Sequence, residues 1–233
     1  MEQDKSNLDL LQSTIGYHFK NQELLEQALT HKSYAVECSG NVKDNERLEF
    51  LGDAVLELVV SHLLYERFAS KCSEGELTRM RAYLVNESQL AKQASRIGLG
   101  NCIRLGRGER RSGGAKKPSI LSDSFEALLG AMYLDGGIEP IFTLITRYFK
   151  DIIDEAYGTG QVQDYKTILQ EITQARFHTV PEYVLEQVSG PDHQRKFKVA
   201  LYLRGKLMAK GEGKSKKEAE REAASKALQT FIE

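Results

Sequence analysis

Asn45-Glu46-Arg47-Leu48-Glu49-Phe50-Leu51-Gly52-Asp53 is the stretch on which the reading of this chain turns. At 3.6 residues per turn, Glu46, Glu49 and Asp53 stand at i, i+3 and i+7, which sets three carboxylates along one stripe of a helix. Leu48, Leu51, Val55, Leu58 and Val59 occupy its other faces, so this helix, expected over residues 45–69, has much to bury. Like charges at such spacing repel. Keeping them ionised beside a core needs a compensating cation. A divalent metal is one solution; partners such as Arg47, Arg79 and Arg81 are the other, and spacing alone favours the solvated or salt-bridged face.

A second acidic pair lies downstream. Asp123 and Glu126 are again at i, i+3, inside Leu121-Ser122-Asp123-Ser124-Phe125-Glu126-Ala127-Leu128-Leu129-Gly130, where small and apolar neighbours predict burial. Two helices that each offer acids from an apolar setting make an all-oxygen site, which suits Mg²⁺. A metal so held activates water and neutralises charge developing on a phosphodiester. Glu74 is less specific, because it sits in the first turn after Ser73, where the helix dipole favours an acid. Glu76 has a capping-box partner in Ser73 and needs no further role.

Outward from these pairs, residues 1–156 read as helix. Leu24, Leu25, Ala28 and Leu29 form a stripe after an Asn21 cap; Ser73 opens a helix through Leu84; Asn86 with Gln89 opens another, stopped at Gly98. Residues 119–134 form a further helix, closed by Gly136 and Gly137. With no sustained period-2 pattern, the region is expected to be all-α. The uncharged stretch from Tyr157 to Gln163, with Gly158 and Gly160, reads as a linker. Beyond it the pattern changes: a helix over 165–176, strands over 182–188 and 196–203, a turn at Arg204-Gly205, a short strand over 206–210, and a helix over 215–231 with Ala219, Ala223, Ala227 and Phe231 along one side. The fold class is mainly α with an α+β second domain of α-β-β-β-α order. The expected boundaries are 7–137 with a helical extension to 156, a linker over 157–163, and 164–233.

The 233 residues carry 32 Lys+Arg against 33 Asp+Glu, and a net charge near −1 argues against a nucleic-acid partner only if the charge is evenly spread. It is not. Residues 1–160 hold 19 basic and 23 acidic residues, and residues 161–233 hold 13 basic and 10 acidic. One basic run also interrupts the acidic unit: Arg104, Arg107, Arg110, Arg111, Lys116 and Lys117 stand against Glu109 alone. It reads either as a solvated loop or as a phosphate-contacting loop.

Other classes drop out. The longest run without Asp, Glu, Lys or Arg is Leu10 to Phe19, too short for a membrane span of roughly 20 residues. The N-terminal Met1-Glu2-Gln3-Asp4 is the wrong start for a secretory signal, and Cys38, Cys72 and Cys102 have no CxxC spacing, as expected of reduced thiols in the cytoplasm. His18, His31, His62, His178 and His193 form neither an HExxH pattern nor a close pair.

Asn45–Asp53 resembles the signature stretch of the bacterial ribonuclease III family. Ala28-Leu29-Thr30-His31-Lys32-Ser33-Tyr34, Glu74-Gly75-Glu76-Leu77-Thr78-Arg79-Met80-Arg81, and Ile120-Leu121-Ser122-Asp123 running to Gly130 resemble further family blocks, in the family's order, over roughly residues 8–232. The resemblance implies an all-α endonuclease domain that forms a homodimer. It implies a Mg²⁺ site, with Mn²⁺ able to substitute, in which Glu49, Asp123 and Glu126 contact metal. Asp53 and Glu126 are then tied most directly to catalysis, and Glu46 and Glu74 form a secondary acidic set. Pro118 departs from the family pattern, which points to an altered loop shape. With the family in view, the basic run 104–117 reads as a phosphate-contacting loop.

The last 70 residues resemble a double-stranded RNA-binding domain in three places: Asp164 through Gln174, Gly190-Pro191-Asp192-His193, and Gly213 through Ala219. The deep major groove of A-form RNA is closed to side chains, so recognition falls on 2′-hydroxyls, phosphates and shape. Thr167, Gln170 and Gln174 suit one minor groove, His193 the next, and Lys214, Lys216 and Lys217 the phosphates between, at a helix N-terminus that itself attracts anions. Few aromatics are placed for base stacking, which disfavours a single-strand reader. The implied activity is hydrolysis of double-stranded RNA to 5′-phosphate and 3′-hydroxyl ends, in processing ribosomal RNA precursors and structured messenger and transfer RNAs. The alternative is a non-catalytic double-stranded RNA-binding or ribosome-associated protein.

Overall fold

The computed structural model describes residues 2–38, 42–158, 165–191 and 195–232. They fall into two compact units, Met1–Val162 and Gln163–Glu233.

The first unit is helical: α1 (Glu2–Ile15), α2 (Gln22–Ala28), α3 (Lys32–Glu37), α4 (Glu46–Phe68), α5 (Glu74–Leu84), α6 (Glu87–Arg96), α7 (Arg107–Arg111), α8 (Pro118–Gly136) and α9 (Glu139–Gly158). Short 3₁₀ turns occupy Leu99–Asn101 and Gly114–Lys116. Among the described residues the only extended pairing here is a lone parallel bridge between Thr30 and Arg104. No described helix is long and apolar enough to cross a membrane.

The core is built on α8, which buries Ile120, Leu121, Phe125, Leu128, Leu129 and Met132 on successive faces, as an internal helix should. Each such side chain contributes about 1.5–3 kcal/mol by leaving water. It packs most heavily on α4, through Leu48, Val55, Leu56, Val59 and Val60. Two glycines set that crossing. A Cβ on Gly52 would fall onto the carbonyl oxygen of Glu126, and one on Gly130 onto that of Leu48. The two backbones therefore touch directly, at the turns that carry the acids.

The expected helix starts form by the expected means. Asn21 accepts from Glu23 N–H, Ser73 and Glu76 close a reciprocal capping box, and Asn86 accepts from Gln89 N–H. Asn45 differs: its own conformation is helical and its side chain makes no cap, donating instead to the carbonyl of Ala28 at 3.4 Å. Asp135, near the end of α8, accepts from the Tyr17 hydroxyl (2.7 Å) and from the N–H groups of Lys20 and Asn21 (2.8 Å each). It thereby fastens the α1–α2 turn to α8. The helix from Pro118 includes Gly136, and only Gly137, at φ 78°, lies outside it. Helix α9 runs on through Gly158 because Tyr157 stacks on Phe68 at 4.5 Å, so the first two residues of the expected linker are helical.

The second unit has α10 (Tyr165–Phe177), β1 (Glu182–Ser189), β2 (Lys196–Leu203), β3 (Lys206–Gly213) and α11 (Lys216–Ile232). The strands pair antiparallel in the order β1-β2-β3, and β3 is longer than the sequence suggested. Val199, Leu201 and Leu203 are the buried face of β2. Small residues let α11 press close: Ala219, Ala223 and Ala227 are fully buried, and a Cβ on Gly211 would strike the α11 backbone at Ala219 and Ala223. Arg204 (φ 52°) and Gly205 (φ 74°) are both left-handed, as a two-residue hairpin requires. The Arg204 guanidinium donates to the carbonyl of Phe177, which holds this non-glycine residue in a strained conformation.

Candidate active site

Because α4 and α8 cross at Gly52 and Gly130, Glu49 and Asp53 on one helix meet Asp123 and Glu126 on the other. Carboxylate oxygens of Glu49, Asp123 and Glu126 all lie within 4.8 Å of one another, and all three residues are half-buried. Asp53 is exposed at the edge of this trio and exerts the strongest charge interaction on Glu126.

Electrostatics mark the cluster as incomplete by itself. Burial, then the charges of Asp53, Glu49 and Asp123, push the Glu126 carboxyl up to about 8. Burial and the charges of Asp123 and Glu46 likewise raise Glu49, against a smaller opposing pull from Lys32. Lys32, the base whose charge acts on Glu49, is bonded through Nζ to Glu46 Oε1 at 3.0 Å. Arg81 donates to Ser61 Oγ (3.1 Å), not to an acid of the cluster. Three convergent carboxylates, of which Glu49 and Glu126 feel other carboxylates as their strongest neighbouring charges, are the donor set of a hard divalent cation. The residues therefore fit such a metal on this chain's own geometry.

Beside the trio is a cavity of about 190 Å³ lined by His31, Lys32, Asn45, Glu46, Glu49 and Asp123. Glu46 thus joins the site from its rim. Glu74 does not join it within one chain: it accepts from Thr78 (2.8 Å) and lines a separate groove with Ser61, Leu64, Tyr65, Leu77 and Arg81. His31 and Lys32 are the residues that sequence reasoning left without a role. They arrive by way of the Thr30–Arg104 bridge, which has no periodic signature; the block Ala28–Tyr34 was the only sign of them. His31 Nδ1 faces Ser33, 3.2 Å from its N–H and 2.8 Å from its hydroxyl. Burial, the main cause, lowers the pKa of the ring despite the charges of Glu109, Asp123 and Glu46.

The basic run is not a uniform loop. Arg104 pairs with Glu26 (3.1 Å) and Lys117 with Glu109 (2.5 Å), while Arg107–Arg111 form α7. Its root is tied to α3 by Gly106 N–H to Ser33 Oγ (3.0 Å) and Arg107 N–H to Glu37 Oε1 (2.7 Å).

In the second unit, Gln170 and Gln174 line an open groove on α10 with Glu171, Ala175 and His178. Lys214, Lys216 and Lys217 are exposed at the start of α11. There Ser215 Oγ accepts from Glu218 N–H, and Glu218 Oε2 accepts from Lys214 N–H. The Thr167 side chain and His193 lie outside the described residues.

A family model described as ribonuclease-III-like matches residues 21–152, and one described as a double-stranded RNA binding motif matches residues 165–230. The chain is similar to ribonuclease 3 of Syntrophotalea carbinolica, 49% identical over 96% of this chain and 97% of the relative. It is also similar to ribonuclease 3 of Syntrophobacter fumaroxidans, 46% identical over 95% of this chain and 93% of the relative. Among solved structures, the nuclease domain of ribonuclease III from Campylobacter jejuni matches with a TM-score of 0.57 and 45% identity, covering 63% of this chain and 95% of that one. Fold, cluster and matches together define a ribonuclease that carries a double-stranded RNA-binding domain. The chain belongs to the ribonuclease III family.

Proposed function

We propose that the chain cleaves double-stranded RNA with Mg²⁺ held by Glu49, Asp123 and Glu126, leaving 5′-phosphate and 3′-hydroxyl ends on ribosomal RNA precursors and structured messenger RNAs in the cytoplasm. The convergence of those three carboxylates within 4.8 Å carries the reading. Bound there, the ion supplies an activated water and offsets charge on the phosphoryl group. Asp53 is the group that would accept a proton from the attacking water, a role that its exposure and its charge interaction with Glu126 support. Glu46 holds Lys32 at the rim. Gln170, Gln174 and the three lysines at the start of α11 hold the duplex by its minor grooves and phosphates, with Thr167 and His193 proposed as further RNA contacts.

The homodimer belongs to the same proposal. Phe50, Leu58 and Tyr65 are 82%, 58% and 68% exposed and share one face of α4, an apolar stripe suited to a second copy. The Campylobacter jejuni nuclease domain has a solved structure described as flexible in a region involved in dimer formation. Each subunit would then supply one acidic cluster, with Glu74 in a secondary role.

Incubating purified protein with a long RNA duplex, with Mg²⁺ or with EDTA, tests the reading. Metal-dependent cleavage with ligatable 5′-phosphate ends is expected. Duplex binding without cleavage would leave a non-catalytic RNA-binding protein.

A further inference from the structure

His31 is the N-cap of α3 and also a wall of the cavity that holds Glu46, Glu49 and Asp123. One imidazole serves both positions. The Nδ1 side is occupied: the Ser33 main-chain N–H donates to it at 3.2 Å. The Ser33 hydroxyl lies 2.8 Å from the same nitrogen, and its oxygen also accepts from Gly106 N–H at 3.0 Å. An amide N–H can only donate, so Nδ1 is an acceptor and carries no proton. The ring proton is therefore on Nε2. Among the described residues Nε2 makes no hydrogen bond.

We propose that the His31 Nε2–H is a fixed neutral donor to a non-bridging phosphoryl oxygen of the RNA strand entering the acidic cavity. The inference rests on the reading of Glu49, Asp123 and Glu126 as the metal site. It deepens that reading by supplying an uncharged donor in a cavity whose other polar groups are three acids, Lys32 and Asn45. Lys32 and Asn45 each spend a donor within the protein, on Glu46 and on the Ala28 carbonyl, whereas the His31 Nε2–H has no partner among the described residues. The same bonding excludes a second role. A ring with a bare Nδ1 would have to become imidazolate to give up its Nε2 proton, so His31 does not protonate the 3′-oxygen leaving group. It orients and polarises the phosphoryl group, as a preorganised donor does, without transferring a proton.

The two functions of the ring separate by substitution. His31→Asn keeps an acceptor at the Nδ1 position, and Asn is a good N-cap, but it has no donor at the distal position. His31→Gln offers an amide N–H near the Nε2 position but caps poorly. The experiment measures kcat and KM on an RNA duplex with Mg²⁺, Mn²⁺ affinity, and Tm for both full-length variants. Expected for His31→Asn is a wild-type Tm, wild-type Mn²⁺ affinity, KM within about twofold, and kcat lower by about 10²-fold. His31→Gln is expected to melt about 3 °C lower but to keep most of its kcat at a temperature where it is folded. A His31→Asn variant with wild-type kcat, or losses in both variants that track Tm alone, would make His31 only a helix cap and overturn the inference. A wild-type protein that fails to cleave at all sinks the proposed function as well, so the two failures are distinguishable.

Discussion

Gly52 of α4 lies so close to the main-chain carbonyl of Glu126 on α8 that no Cβ fits between them. The spacing of the carboxylates is thus fixed by backbone against backbone. Gly52→Ala gains helix propensity but forces the helices apart, a net loss of about 2 kcal/mol or more. Thermal melting should show the lower stability. Cleavage of duplex RNA by the folded fraction should fall about 10²-fold as the two acidic pairs separate.

Glu126 sits at about 8 in the folded chain, raised by burial and by three neighbouring carboxylates. A group raised above its unfolded value, near 4.3, contributes stability that is full below that value and lost as pH rises through about 8. Tm of the metal-free protein should therefore fall between pH 5 and pH 8.5, measured by calorimetry. Glu126→Gln should flatten that fall and melt higher than wild type at pH 8, while abolishing cleavage and leaving duplex affinity largely intact. A matching loss of affinity would contradict a purely catalytic role.

The same raised carboxyl predicts proton release. At pH 7 Glu126 is largely protonated without metal, and a cation needs it ionised. Titrating Mn²⁺ into the protein in two buffers of different ionisation enthalpy should reveal close to one proton released. Apparent affinity should rise from pH 6 to pH 8. Heats independent of buffer would contradict the ligand role of Glu126.

Removing residues 163–233 takes away Gln170, Gln174 and the lysines of α11. Duplex binding should weaken, and the slope of log K against log salt should become shallower by roughly one unit per lost phosphate contact. Equal affinity at physiological salt would remove the second unit from the account of binding.

Ser73→Ala tests a part of the fold outside the chemistry. It removes the hydroxyl that accepts from Glu76 N–H and bonds Glu76 Oε2 at 3.0 Å. The expected cost is about 1 kcal/mol, or about 3 °C in Tm. Below the melting range kcat should not change.

What the sequence carried was whatever has a period. Glu46, Glu49 and Asp53 are legible at i, i+3, i+7 because one helix fixes their common stripe, and Asp123 with Glu126 is legible for the same reason. That the two stripes meet depends on Gly52 and Gly130, whose meaning appears only when another backbone lies against them. Asn45 begins the expected helix, yet its side chain is drawn to Ala28, 17 residues earlier, by a fold contact that no local rule contains. His31 went unread for a related reason. It forms no pair with another histidine, and its partners are a serine two residues on and acids delivered by other helices. Tyr157 shows the converse, where weak local signals for a linker gave way to stacking on Phe68.

The footing of the basic segment and its charge are separate properties. Gly106 N–H to Ser33, Arg107 N–H to Glu37, His31 N–H to Arg104 and Arg104 N–H to Leu29 hold it through main-chain donors, and none of these bonds uses a lysine or arginine side chain. The cationic heads at Arg107, Arg111 and Lys116 can thus be exchanged without unseating the segment. An engineer seeking a different substrate preference can rewrite the sign and spacing of charge there while the scaffold beneath stays as it is.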